Sequence, residues 1–331
     1  MDLQFPAIAF SDLHLKPETK DTCSVVLEGM LTAASEQNIS HIVFLGDFFH
    51  LRYTIPVDLV NLVSDWLNQA ACKGIHVHFL VGNHDQVDEM GRNALEVFGN
   101  AHNATVHSEI GESDGVLWLP YRKDYGLLRE ALRKSKCRTV FGHFAMSGAM
   151  MNNTFKSEHG LGIKDLAKFD LVLLGHFHKR QSFGSKNHIH YVGSPWETSA
   201  AEIGQPKGYV VIRSHDTFEY VDTHWGAKHH SFTGTAKAFE KFLAKSDILP
   251  GDRVFIESKS KKDLESISTK LRDKYSANPV PKLIESDKSL LPRIALDPST
   301  SLDSFIDRYV DSNLPPDMEK IKLMAILNEI R

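Results

Sequence analysis

Residues 76–85 read HVHFLVGNHD: a short apolar run that stops at a glycine, followed by an amide, an imidazole and a carboxylate. A β-branched and aromatic run closed by a turn residue is the signature of a buried strand. Four other stretches share this grammar. FPAIAF at 5–10 stops at Ser11-Asp12-Leu13-His14, and HIVFL at 41–45 stops at Gly46-Asp47. TVF at 139–141 stops at Gly142-His143, and DLVLL at 170–174 stops at Gly175-His176-Phe177-His178. Helical patterns fill the gaps. Leu59, Val63, Trp66 and Ala70 recur at helical spacing in 56–73, where Pro56 suits the first turn and Gly74 the position past the end. Val26, Met30 and Ala34 make a similar stripe in 22–37. The alternation predicts an α/β core. Loops beyond the carboxyl ends of strands line the ligand crevice of open α/β sheets. Asp12, His14, Asp47, Asn83, His84, His143, His176 and His178 are therefore expected to converge.

Composition bounds the function. The chain has 331 residues, 42% hydrophobic and 24% charged, which excludes disorder, collagen and a fibrous heptad protein. Its length suits one large domain plus a smaller one, or two domains. No apolar stretch approaches the roughly 20 residues that cross a bilayer. Pro6, Asp12 and His14 interrupt the first apolar run and no basic region precedes it, so no signal peptide is expected. Cys23, Cys72 and Cys137 are scattered, with neither a disulfide framework nor a paired metal spacing, so the expected compartment is a reducing cytoplasm. The net charge of −4 means that nucleic-acid binding would rely on local patches or bound metal ions. There is no internal repeat or low-complexity segment.

The predicted crevice holds two carboxylates, one amide oxygen and several imidazoles, with no thiolate. Such a set suits manganese, iron, zinc or, less well, magnesium. It has more ligands than one ion needs and enough for two. Two divalent ions about 4 Å apart can hold a phosphate between them and bind the attacking hydroxide. Asp47, with two oxygens, is the natural bridge. Asp12 and His14, like His176 and His178, are two residues apart, which places each pair on one face of the pleat. The glycines at 46, 82, 142 and 175 let the backbone turn sharply into the site.

The ordered set D-x-H, G-D, G-N-H-D, G-H, G-H-x-H resembles the calcineurin-like metallophosphoesterases over residues 8–196. The resemblance implies a four-layer α/β/β/α sandwich. It puts Asp12, His14 and His178 on a first metal, Asn83, His143 and His176 on a second, and Asp47 between them. His84 becomes the general acid for the leaving alkoxide, with Asp85 beside it to orient the loop. Serine/threonine phosphatases continue their second motif as G-D-x-x-D-R-G. This chain has Gly46-Asp47-Phe48-Phe49-His50, followed by Pro56. A histidine three residues after the bridging aspartate is similar to the nuclease branch, which includes bacterial SbcD and its phage counterparts. That likeness gives His50 a role in stabilising the transition state. It further implies manganese, exonuclease action on duplex ends, endonuclease action on single strands, and work in DNA repair or recombination. The implied partners are DNA, an SbcC-type SMC-like ATPase whose ATP hydrolysis regulates access, and a second copy of the chain. The short length resembles a phage enzyme, which would act in the host cytoplasm. Tyr191-Val192-Gly193-Ser194-Pro195 resembles the turn after the last metal motif and reads as structural. Two other functions stay open: a phosphodiesterase for a small molecule or cyclic nucleotide, and an adaptor that holds ATPase and DNA.

In the second half, 208–213 and 217–223 read as a closing hairpin. Beyond 229 the pattern changes: helix at 235–245, strand at 253–257 (RVFIE), charged helix at 261–275 and strand at 281–285 (PKLIE). The expected division is a nuclease domain at 1–228, a DNA-binding α/β capping domain at 229–288, and a linker with helical tail at 289–331. Pro279, Pro281, Pro292 and Pro298 mark the linker region. Leu302, Phe305, Ile306 and Tyr309 form one helical stripe, and beyond Pro315-Pro316 and Asp317, Leu323, Ile326, Leu327 and Ile330 form another. These helices either fold back on the core or dock on a partner, and the resemblance favours the ATPase. Residues 122–138 carry seven cationic side chains against two acidic ones, either a solvated helix face or a phosphate-tracking surface. His76, His78, His188 and His190 alternate along strands and read as structural, while His102, His107, His159, His215, His224, His229 and His230 have no motif around them. Phe48 and Phe49 read as core. Arg52 is either a phosphate contact or an exposed loop residue.

Overall fold

The computed structural model describes residues 2–88, 91–151 and 155–284. The first half runs β1 (Ala7–Phe10), α1 (Lys20–Glu36), β2 (His41–Phe44), α2 (Val57–Cys72), β3 (His76–Leu80), β4 (Ala104–His107), β5 (Gly111–Ser113), β6 (Val116–Leu119) and α3 (Tyr125–Lys134). Next come β7 (Thr139–His143), α4 (Ile163–Leu166), β8 (Leu171–Gly175), β9 (Gln181–Phe183), β10 (Ile189–Tyr191), β11 (Gly208–Ile212) and β12 (Phe218–Asp222). The rest is β13 (His229–Thr233), α5 (Ala236–Leu243), β14 (Arg253–Ser258), α6 (Lys261–Tyr275) and β15 (Asn278–Leu283).

The five predicted strand runs are β1, β2, β3, β7 and β8, and they divide between two sheets. One has the order β12-β11-β1-β2-β3-β4, the other β5-β6-β7-β8-β10-β9. Their centres are parallel: β1 through β4 in the first sheet, and β6, β7, β8 and β10 in the second. Parallel strands covered on both faces need continuous apolar runs rather than alternation, which these runs supply. Ile42, Phe44, Val77 and Phe79 pack outward against Val26, Met30, Val63 and Trp66 of α1 and α2. Their neighbours Ala9, Val43, Leu45 and Leu80 pack inward against Trp118, Phe141, Leu171 and Leu173 of the second sheet. Val140, Val172 and Leu174 pack outward again, against Leu128, Leu132 and Leu166 of α3 and α4. The result is the four-layer α/β/β/α sandwich.

A third sheet, β13-β14-β15, begins at His229. The described residues up to Lys282 form one compact unit. β15 corrects one expectation. Pro279 and Pro281 lie inside a strand (NPVPKL), not in a linker. The strand is at the sheet edge, where a missing N–H costs no ladder hydrogen bond. The tail expected over 289–331 lies outside the described residues. Among those described, no helix is long and apolar enough to cross a membrane.

The two large sheets are also joined by histidines. His41 Nδ1 lies 3.2 Å from His78 Nε2, and His78 Nδ1 lies 3.3 Å from His107 Nε2. The His107 ring stacks on Trp118 of β6 with centroids 3.6 Å apart. His76 meets Thr105 Oγ1 at 2.8 Å. Burial pushes His76 and His107 down to about 4 and His78 to about 2. Unfolded histidines titrate near 6.5, so the unfolded chain takes up protons that this ladder refuses. Each member therefore contributes stability that is fully present above pH 6.5 and is lost as the pH falls toward 4, at about 1.4 kcal/mol per pH unit. Urea unfolding of the metal-free protein should show this loss between pH 7 and 5. His107→Phe, which keeps a ring on Trp118, should flatten the slope by one titrating group; an unchanged slope would exclude the ladder as its source.

Candidate metal centre

The loops after β1 and β2 remain paired beyond the strands. The amides of Asp12, His14 and Leu15 donate to the carbonyls of Gly46, Asp47 and Phe48 at 3.0, 3.1 and 2.8 Å. The chain there is no longer pleated. Asp12, His14, Asp47 and His176 have φ of 55°, 51°, 61° and 98°, in the left-handed region. This corrects the expectation that a shared pleat face aligns Asp12 with His14 and His176 with His178. Those residues follow the strand ends, and left-handed turns aim them instead. Each such turn costs a non-glycine residue on the order of 1–3 kcal/mol and persists only where its surroundings enforce it. The glycines also act differently from expectation. Gly46 turns with φ 98°, but Gly175 is needed for space: a Cβ there would stand 2.0 Å from Ser11 Oγ and 2.3 Å from the Leu45 carbonyl.

All eight side chains expected to converge do so. His14 Nε2 and His178 Nε2 lie 3.0 Å apart. His178 Nε2 is 3.9 Å from Asp12 Oδ1, and His14 Nε2 is 3.7 Å from Asp47 Oδ2. On the other side, Asp47 Oδ1 is 3.4 Å from His143 Nε2. Asn83 Oδ1 lies 3.1 Å from His143 Nε2 and 2.8 Å from His176 Nδ1. Asp47 thus turns one oxygen to each group. A cleft of about 440 Å³ opens over them, with Lys16, Phe177 and Thr198 in its wall.

Hydrogen bonds fix which nitrogens face inward. His143 Nδ1–H donates to the Leu45 carbonyl at 2.7 Å, and His178 Nδ1–H to Glu202 Oε1 at 2.8 Å. Each leaves its Nε2 lone pair to the site. With the His178 proton on Nδ1, the 3.0 Å between His14 Nε2 and His178 Nε2 is spanned either by a His14 N–H or by a cation. Oxygen and nitrogen donors without sulfur, converging with lone pairs inward, fit divalent cations. The carboxylates favour positive charge here, which in the metal-free site is a proton on His143 that a cation would displace. Burial opposes a proton on His143, yet the Asp47 carboxylate lifts it to about 9. Burial and His143 push His176 down to about 3.

The remaining predicted residues separate into two kinds. His84 Nδ1–H donates to the His50 carbonyl at 3.0 Å, and its ring stacks on His50 with centroids 5.2 Å apart. His50 Nδ1 lies 3.4 Å from His14 Nδ1. His14, His50 and His84 thus crowd one side of the cleft. Asp85 does not reach it. Its buried carboxylate accepts the amides of Asp47 and Gly82 at 2.8 and 2.9 Å on one oxygen, and those of Phe48 and Phe49 at 2.9 and 3.1 Å on the other. It ties the loop after β2 to the loop after β3. Phe48 and Phe49 lie in the core, and Arg52 is exposed. In the basic run, Arg122, Arg129, Lys134 and Arg138 pair with Glu109, Asp165, Glu130 and Asp170. That pairing favours the solvated-face reading. Sequence reasoning missed Glu202, Thr198 and Lys207, which carry no motif and follow no strand end.

The sequence profile described as calcineurin-like phosphoesterase matches residues 5–180. No curated protein matches the chain significantly. Among solved structures the chain is similar to the Pseudomonas putida nuclease MPE, with 16% identity over 62% of this chain and 84% of that one and a TM-score of 0.29. It is also similar to a dimetal phosphatase from Danio rerio (10% identity, 66% and 93% covered, TM-score 0.35). A third is GAP50, the anchor in the inner membrane complex of Plasmodium (10%, 66% and 88%, TM-score 0.38).

Removing the Asp85 carboxylate leaves four buried N–H groups without their acceptor. Asp85→Ala should cost about 3–5 kcal/mol in urea unfolding and weaken Mn2+ binding measured by calorimetry. Asp85→Asn, which keeps one oxygen, should fall between. Wild-type stability in the alanine variant would show that this staple contributes nothing.

Proposed function

The chain belongs to the calcineurin-like phosphoesterase family, and we propose that it is a two-metal DNA nuclease, the hydrolytic partner of an SbcC-type SMC-like ATPase in DNA repair or recombination. The observation that carries the two-metal part is Asp47, which directs Oδ2 toward His14 and Oδ1 toward His143. Asp12, His14 and His178 would hold one ion, Asn83, His143 and His176 the other, and Asp47 both; manganese is the expected metal. Ions so held would supply positive charge to a phosphodiester and acidify the attacking water.

The chain's own groups do the rest. His84 is anchored through Nδ1, which leaves Nε2 to give a proton to the departing sugar oxygen. His50, stacked against it, stabilises charge on the phosphate. His50 also supports a nucleic-acid substrate over a small one, through the motif likeness of Asp47-Phe48-Phe49-His50 to the nuclease branch. In this reading the third sheet caps the nuclease domain and contacts DNA, and the tail at 289–331 grips the ATPase. The chain works as a homodimer in the cytoplasm, where three unpaired cysteines are at home.

The test is Mn2+-dependent degradation of end-labelled linear duplex DNA, with and without the ATPase. His84→Ala should bind two ions and cut roughly 10²–10⁴-fold more slowly. Undiminished cutting by that variant would reject the acid assignment. Asp47→Ala should lose both ions, and retention of two would refute the bridge. A wild-type protein that binds two ions and hydrolyses small diesters, but never DNA, would place it among small-molecule phosphodiesterases.

A further inference from the structure

One ligand of the centre is supported unlike its neighbours. His143 and His84 donate their outer N–H to backbone carbonyls, which are neutral. His178 Nδ1 instead faces a full carboxylate, that of Glu202, which is only 5% exposed, with the Thr198 hydroxyl beside it at 2.9 Å. The other Glu202 oxygen collects three donors: Lys207 Nζ at 2.6 Å, Ser194 Oγ at 3.1 Å and the Thr198 amide at 3.1 Å. Lys207 is itself 7% exposed, and its ammonium also donates to Ser194 Oγ at 2.7 Å and to the His178 carbonyl at 3.3 Å.

A buried ion pair is a poor way to stabilise a fold. Its desolvation offsets much of its attraction, and apolar residues of similar size often serve as well. Here the pair is joined to His178 from both ends, through the side-chain N–H and the backbone carbonyl. We infer that Glu202, charge-balanced by Lys207, is a positioning residue that keeps the His178 proton on Nδ1 and aims the Nε2 lone pair at the cation position shared with His14 and Asp12. This rests on the two-metal reading above. A carboxylate on the outer nitrogen also makes an imidazole a stronger ligand. The two cation positions are therefore unequal, and the one that includes His178 depends on Glu202.

Glu202→Gln probes this sharply. The Lys207 ammonium and the Thr198 amide can only donate, so the amide oxygen stays with them and its NH2 group turns toward His178 Nδ1 and the Thr198 hydroxyl. A neutral amide facing Nδ1 no longer selects the Nδ1–H tautomer; only the Thr198 hydroxyl, 2.9 Å away, can still accept that proton, so the hold on the Nε2 lone pair weakens. Titration of the metal-free full chain with Mn2+ by calorimetry should resolve two binding steps in wild type. In the variant one step should weaken about 10–100-fold while the other stays unchanged. Two unchanged steps would overturn the inference, and so would equal weakening of both with a lower Tm, the mark of a merely structural role. Failure of the wild-type protein to bind two ions would instead overturn the two-metal reading itself. A second measurement needs no variant. In zinc-loaded wild type, the His178 Nδ1 proton should be shifted downfield and protected from exchange by its carboxylate. Exchange as fast as that of a solvent-facing imidazole would refute the inference even if Glu202→Gln failed to fold.

Discussion

The hydrogen bond from His143 Nδ1 to the Leu45 carbonyl spans the two large sheets where both reach the cleft. It requires the end of β2 to come within reach of a side chain at the end of β7, with Nδ1 and the carbonyl oxygen 2.7 Å apart. Gly175 permits that approach, because any side chain there would strike Ser11 and Leu45. Asn83, Asp47 and His176 can gather only once this junction has formed. The centre is therefore a property of the sheet-to-sheet junction rather than of either sheet. The apolar layer beneath it, from Val43 and Leu45 across to Phe141 and Leu173, supplies the driving force for that junction.

Strain is concentrated at the same place. Four of the gathered residues hold left-handed backbone conformations, which the surrounding hydrogen bonds must enforce. The Asp85 carboxylate secures the Asp47 turn with amides from both sides. The Asp12 carboxylate accepts the His176 amide on both oxygens at 3.1 Å. Asp85 differs from Asp47 in kind, since both its oxygens are committed to backbone donors, whereas Asp12 accepts a single amide and keeps lone pairs for a cation. Asp47 receives one such bond, from the His84 amide at 2.7 Å, and its Oδ2 remains to face His14. A bridging carboxylate needs that freedom.

Much of this was legible in the sequence because parallel strands buried on both faces write themselves as apolar runs. Each run ended where a functional side chain began, so order and position were visible together. What was invisible has physical reasons. Two sheets with the same strand grammar cannot be told from one, so the junction between β2 and β7 left no mark. The φ of Asp12 or His176 is imposed by tertiary contacts and not by residue type. β5 and β9 are three-residue edge strands with little burial, too short for periodicity. Pro279 and Pro281 read as linker because proline is excluded only from central strands. Glu202 sits in a short turn after Ser194-Pro195, and its partner His178 is 24 residues away, beyond any local pattern.

Charge accounting explains why Lys207 accompanies Glu202. A phosphoester entering the cleft would bring negative charge toward the Asp12 and Asp47 carboxylates. Two divalent cations would more than balance those two carboxylates and leave the net positive field that a phosphate requires. A third uncompensated carboxylate at Glu202 would erode that surplus within a few ångströms of His178. The Lys207 ammonium at 2.6 Å cancels it locally while leaving the oxygen that faces His178 in place. In the basic run at 122–138, four of the seven cations already hold carboxylates, which weakens the field it can offer. In a chain of net charge −4, cations bound at the centre would add to the attraction for phosphate that Lys16 in the cleft wall provides.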